Sequence, residues 1–267
     1  MSTLSYAVTD SAAMLRRNLR HLQRYPSMTL LLAFMPIVLL LIFVYVFGGT
    51  LGSGLGHGPD GGGRAAYISY VVPGVIVLSI ACVVQATAIS VAMDMTTGII
   101  ARFRTMAISR ASVLTGHVLG TQIQTVFTLA LVIGVAFAIG FRPHAGPLPW
   151  LAAIGLLILT SYALTWLSVA LGLVAKTVES ASNLPMFLTL LPFLGSGFVP
   201  TASMPVGLRW FAEYQPFTPV TETVRGLLVG GPVGGHALVS AAWAVGIALV
   251  SYVWAKRLYS RGPQLPR

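Results

Sequence analysis

Charge is what this sequence has least of. Only 8% of its 267 residues are Asp, Glu, Lys or Arg, while 56% are hydrophobic; a soluble domain carries about 25% charged residues. Too few charges exist to cover a water-facing surface, and several apolar runs exceed the ~18 residues that mark a membrane-spanning helix. With a mean hydropathy of +0.84, the chain reads as an all-α integral membrane protein. Acids are scarcer than bases, 6 against 16, which leaves a net charge of +10. In a soluble protein that excess would suggest nucleic acid. Here the bases lie between and beside apolar runs, as topology determinants facing anionic headgroups do, so the lipid bilayer is the expected partner and nucleic acid is not.

Other absences narrow the function. The single cysteine, Cys82, lies inside an apolar run and excludes an internal disulfide or a multi-cysteine metal site. There is no G-x-x-x-x-G-K-[ST] stretch, so the chain carries no P-loop of its own. There is no H-E-x-x-H, and the five histidines offer no metal-ligand pair at i, i+4. No nucleophile–base–orienter set can be assembled, because His57, His144 and His236 fall in loops or at a span's edge. No catalytic site, metal site or bound cofactor is therefore expected in this chain. No short apolar core is closed by a small-residue cleavage site, and the first apolar run is expected to remain as a span.

Six spans are expected, at about 28–47, 67–93, 118–139, 151–174, 183–198 and 237–254. Before them, Leu15, Leu19 and Leu22 form one stripe over residues 11–25 and Arg16, Arg20 and Arg24 another, the pattern of an amphipathic interfacial helix. Pro26 ends it. Pro36 is expected to kink the first span, and residues 48–66, rich in glycine, read as a flexible connector. The fifth span is short and interrupted by Pro185 and Pro192. Residues 196–231 mix aromatics and prolines with two acid–base pairs, Arg209–Glu213 at i, i+4 and Glu222–Arg225 at i, i+3, which suggests short helices near the interface. An ordinary helix pair of that kind contributes ~0.3 kcal/mol.

An even number of spans puts both termini on one side. That side collects twelve Lys and Arg residues and the other four, Arg64, Arg142, Arg209 and Arg225. The bias places both termini and the basic island Asp94–His117 in the cytoplasm, and the 199–231 segment outside. No Asp, Glu, Lys, Arg or His falls in the central stretch of any expected span, whereas ion-coupled carriers usually place ionisable groups there. The energy source is expected outside this chain.

The island GIIARFRTMAISR (98–110) and the stretch SGFVPTASMPVGLRWFAEYQPFTPVTETVRGLLVGG (196–231) resemble the membrane subunit of type-2 ABC exporters, in particular the daunorubicin-resistance permeases of actinobacteria. The likeness covers nearly the whole chain. It implies a plasma-membrane permease with an N-terminal interfacial helix, a cytoplasmic coupling loop after helix two and an outward-facing re-entrant segment before helix six. A separate ABC ATP-binding subunit would hold ATP and Mg, and a second permease chain, identical or related, would complete the path. The coupling role would fall to 98–110: Arg102, Arg104 and Arg110 toward acidic groups of the ATPase, Ile99, Ile100 and Phe103 as apolar anchors. The same arginines would also satisfy positive-inside topology alone. The family pattern has proline where Ala107 stands, so nothing fixes the turn after Met106. Glu222 and Arg225 would brace the re-entrant helices. The implied function is ATP-driven export of a hydrophobic or amphiphilic drug. Lipid or glycolipid export is the alternative within the family; an ion-coupled carrier or a non-transporting scaffold is the alternative outside it.

Overall fold

A membrane interior offers the backbone no water to bond, so a chain this apolar must satisfy its N–H and C=O groups within helices. The computed structural model describes residues 26–54, 63–96, 110–175 and 177–261, and among them no strand occurs. A first rod consists of α1 (Pro26–Ile42), a π turn (Phe43–Phe47) and α2 (Gly48–Gly54). Then come α3 (Arg64–Thr96), α4 (Arg110–Ala138) and α5 (Pro147–Val174). A broken segment follows: α6 (Val178–Asn183), α7 (Met186–Leu190) and a 3-10 turn (Leu191–Leu194). A 3-10 turn (Thr201–Ser203), α8 (Val206–Tyr214), α9 (Phe217–Val229) and α10 (His236–Arg261) complete the described chain. Five of these stretches are long and apolar enough to cross a membrane: 30–54, 64–96, 114–138, 147–174 and 236–259.

The core is built on α3. Val71, Val72, Val75, Ile76, Val77, Ile80, Val83 and Val84 are all fully buried, so α3 is apolar on every side and enclosed by its neighbours. The first rod and α10 lie at the rim, where Leu30, Leu31 and Phe34 and, on α10, Leu249 and Val250 are exposed, as lipid-facing residues are. Register follows from side-chain pairings. Thr87 meets Thr121 and Asp94 meets His117, so α4 runs antiparallel to α3. Ser168 donates to the carbonyl of Val84 and Gly172 closes on Ala88, so α5 runs parallel to α3. The Trp166 ring packs edge-on against Tyr252 at 4.9 Å, and Ala255 and Tyr259 join Val169 and Ala170 in one cluster. That sets α10 parallel to α5. At Gly172 a side chain would press on the Ala88 backbone, the small-residue contact that lets membrane helices approach closely.

These directions force a return. The helix α5 ends at the Asp94 end of the bundle, and α10 begins at the Arg64 end. The broken segment makes the trip beside α3: Gln85 donates to Ser182 O at 3.1 Å, and further along Tyr67 donates to Phe198 O at 3.3 Å. Gln85 and Tyr67 are about 27 Å apart along α3 at 1.5 Å per residue. Gly74 abuts the backbone of Gly197 with no room for a Cβ. The chain then dips back in. Gln215 Nε2 donates to Leu191 O at 2.9 Å, Phe217 and Val220 pack against Thr160 and Leu164 at mid-height, and Arg225 is back beside Tyr70. The hairpin α8–α9 is re-entrant. Gly230, at φ 94°, ends α9 in a conformation that suits glycine.

Several boundaries differ from expectation. Residues 48–66 are not one flexible connector: Gly48–Gly54 is helical, α3 starts at Arg64, and Gly52 packs on Gly63. Pro36 lies inside a continuous helix, and the irregularity comes instead as the π turn at Phe43–Phe47. The helix α4 starts at Arg110, eight residues before Val118, and so takes up the second half of the basic island. The start of α5 at Pro147 places prolines 147 and 149 in its first turn, where their missing N–H leaves no helical bond unmade. The fifth span, 183–198, is a chain of short helices and turns.

Candidate functional site

The expected coupling residues Ile99, Ile100, Arg102, Phe103 and Arg104, and the interfacial Arg16, Arg20 and Arg24, lie outside the described residues. What is described is the base of the 97–109 loop. It leaves α3 at Thr96 and re-enters at Arg110, the first residue of α4. Just inside that base, His117 Nε2 lies 3.1 Å from Asp94 Oδ2, with the two side chains only 6% and 13% exposed. The ring N–H donates to the carboxylate. Deeper by about two helical turns on α3 and one on α4, Thr87 and Thr121 share a 2.8 Å hydroxyl bond, and Thr121 also donates to His117 O.

From there an uncharged polar seam runs across the bundle. Gln122 Nε2 donates to Ser161 Oγ at 3.1 Å and to Thr165 Oγ1 at 3.3 Å, while Ser161 donates to Thr125. Ser168 bonds the Val84 carbonyl. On the opposite side of α3, Gln85 donates to Ser182 O and accepts from Thr189 at 3.2 Å, which ties the broken segment to α3. These residues were missed because a search for charge passes over them. Their signal is spacing: Thr121 and Thr125, and Ser161, Thr165 and Ser168, repeat at three or four residues, which stacks polar groups on one face of an apolar helix.

At the other end, the two expected pairs differ in kind. Arg209 and Glu213 form a 2.8 Å bond within α8 while 50% and 41% exposed, an arrangement that contributes little. Arg225 does more. Its Nη1 donates to Glu222 at 2.6 Å, its Nε and Nη2 to Tyr70 O at 3.2 and 3.1 Å, and Nη2 also to Ser196 O at 2.8 Å. Its guanidinium carbon stands 3.9 Å from the centre of the Tyr70 ring, and Tyr70 OH donates to the same Ser196 carbonyl. One side chain thus joins α3, the turn after the broken segment, and α9, using the planar fork that distinguishes arginine from lysine. Its 14% exposure makes those bonds count, since carbonyls left unpaired away from water are costly.

Near Lys176, the exposed Glu179 has its carboxyl held below the usual carboxylate range by its own backbone N–H and by the Thr177 hydroxyl. No group of three His, Cys, Asp or Glu side chains that could hold a metal comes together among the described residues. What the arrangement offers chemically is mechanical: an apolar bundle without mid-height charge among the described residues, a re-entrant hairpin locked at one end, and the Asp94–His117 pair joining two helices at the other.

Residues 10–229 match the ABC-2 type transporter family. The chain is a member of that family. Over 244 residues it is 27% identical to the daunorubicin resistance ABC transporter permease protein DrrB1 of Streptomyces coeruleorubidus, covering 91% of this chain and 80% of the relative. It is 26% identical over 166 residues to the probable doxorubicin resistance ABC transporter permease protein DrrC of Mycobacterium tuberculosis, covering 62% of this chain and 60% of the relative. Membership of the ABC-2 family makes the chain a membrane permease that works with an ABC ATPase subunit rather than an enzyme itself. Both of these relatives are bacterial transporter permeases.

Proposed function

We propose that this ABC-2 permease exports a hydrophobic or amphiphilic drug, driven by ATP hydrolysis in a separate subunit. What carries the reading is the similarity, along nine-tenths of the chain, to a permease named for daunorubicin resistance. The bundle is compatible with it: beyond the Asp94–His117 pair, the side-chain bonds that join α3, α4 and α5 come from uncharged hydroxyl and amide groups, and such walls suit a lipid-soluble cargo better than a bare ion. Both termini and the 97–109 loop face the cytoplasm, Arg225 marks the outer end, and a second permease chain completes the path. The ATPase grips this region through Arg102, Arg104 and, at the start of α4, Arg110, with Ile99, Ile100 and Phe103 seated against it.

Co-reconstitution with the cognate ATPase in proteoliposomes tests the function. ATP-dependent movement of an anthracycline is the expected result. Movement driven by an ion gradient without ATP would replace this reading with a secondary carrier, and movement of a lipid or glycolipid alone would keep the family and change the cargo. For the loop, the double variant Arg102→Glu, Arg104→Glu is expected to lose co-purification with the ATPase together with ATP-dependent export. A double variant that assembles and exports normally removes the loop from the coupling path.

A further inference from the structure

Resting on the loop reading above, we propose that Asp94 and His117 are positioning residues: they clamp the two feet of the 97–109 loop so that α3 and α4 receive a push as one body. Neither contacts cargo or nucleotide in this scheme. They act through the helices they join.

The argument starts from connectivity. A loop between two helices delivers force to two separate rods, and force applied to the loop can either displace both rods or spread them. Nothing in a covalent link between two helices by itself favours displacement. A bond directly across its base does. The Asp94–His117 contact sits about half a turn inside α3 from its end at Thr96 and about two turns inside α4 from its start at Arg110. Its side chains are largely buried, and Val91, Leu114 and Val118, within one turn along the same helices, belong to one apolar cluster. In such surroundings a hydrogen bond to a carboxylate is strong. The bond therefore resists spreading where leverage is greatest.

The seam behind the clamp extends the unit. Thr87–Thr121 is a second stitch between the same helices, and Gln122, which follows Thr121 directly, reaches Ser161 and Thr165 on α5. The Ser168 hydroxyl returns to the Val84 carbonyl on α3. Helices α3, α4 and α5 are thus tied pairwise near the loop end. By contrast, the broken segment meets α3 through the amide of Gln85 and through close backbone approach at Gly74–Gly197. A three-helix body that moves together is one way to carry a displacement from the loop through packed elements with two discrete arrangements.

The test uses the permease with its ATPase in proteoliposomes and reads export per ATP hydrolysed, alongside co-purification and thermal stability. Asp94→Ala and His117→Ala are each expected to lower export per ATP by about 2- to 30-fold, the range of 0.5–2 kcal/mol found for residues on coupling paths. The two together should cost less than the sum of the single variants, because the pair's interaction is counted in both. The exchanged variant, Asp94→His with His117→Asp, is expected to recover most of the loss, and co-purification should persist throughout. If the alanine variants keep wild-type export per ATP while Arg102→Glu, Arg104→Glu uncouples, the clamp is wrong and the loop stands. If the arginine variant is also without effect, the loop reading itself falls. If the alanine variants fail to assemble and the exchange does not restore them, the pair serves folding alone and the proposal is overturned.

Discussion

Arg225 shows how far one residue can depart from what its sequence neighbours suggest. At i, i+3 from Glu222 it reads as a surface helix pair, yet it also holds two carbonyls from distant parts of the chain. Arg225→Ala is expected to cost roughly 2–3 kcal/mol, because the carbonyls of Tyr70 and Ser196 lose a charged donor and Glu222 loses its counter-ion in a partly buried site. Arg225→Lys should recover only part of this, since an ammonium cannot fork to three acceptors in one plane. Thermal unfolding in detergent reads both, and Glu213→Ala at the exposed pair, predicted to change stability by under about 0.5 kcal/mol, is the control. The sequence shows the i, i+3 spacing but not the carbonyls, which come from residues 155 and 29 positions away.

Elements in this bundle are positioned by small residues as much as by large ones. At Gly74 the backbone of α3 lies directly against Gly197, and no Cβ fits between them. Gly74→Val is therefore expected to push the broken segment off α3, weaken the Tyr67–Phe198 and Tyr70–Ser196 bonds that flank the contact, and destabilise the fold by about 1–3 kcal/mol or more as an overpacked site. Gly134, with nothing within 4 Å of its Cβ position, should tolerate valine at well below that cost, as surface substitutions do. The same thermal measurement, or limited proteolysis after the 3-10 turn at Leu191–Leu194, compares the two. Composition also marked the broken segment itself: Pro185 and Pro192 interrupt its helical bonding, and the observed α6, α7 and 3-10 pieces follow those interruptions. The glycine run at 48–54 misled because glycine disfavours helix in water by ~1 kcal/mol. In an apolar setting the helix keeps its backbone bonds internal, and at Gly52 the missing side chain gives Gly63 its place.

For the whole molecule, helix directions make a topological demand. With α3, α5 and α10 parallel and α5 ending opposite α10's start, the segment between them has to travel the height of the bundle. Whether Ser203 and the tail then face opposite sides of the membrane is open to direct measurement. In a Cys82→Ala background, Ser203→Cys is expected to react with a membrane-impermeant maleimide on intact cells, and Gln264→Cys only after permeabilisation. The reverse pattern would invert the orientation, and labelling of both from outside would rule out a crossing between them.

What the sequence determined by itself is the class and the layout. Charge scarcity dictated a membrane bundle, the lengths of the apolar runs located its long helices, the prolines marked the broken one, and the stretch at 196–231 pointed to the family that residues 10–229 match. These are properties of local composition, and a bilayer acts on local composition. Only the tertiary structure decided which residues meet across the bundle: Asp94 with His117, Gln122 with Ser161 and Thr165, Arg225 with Tyr70 and Ser196. The physical reason is that each pairing depends on the relative rotation and register of separate helices, set by close approaches such as Gly172 on Ala88 and Gly74 on Gly197, which local spacing along the chain does not encode.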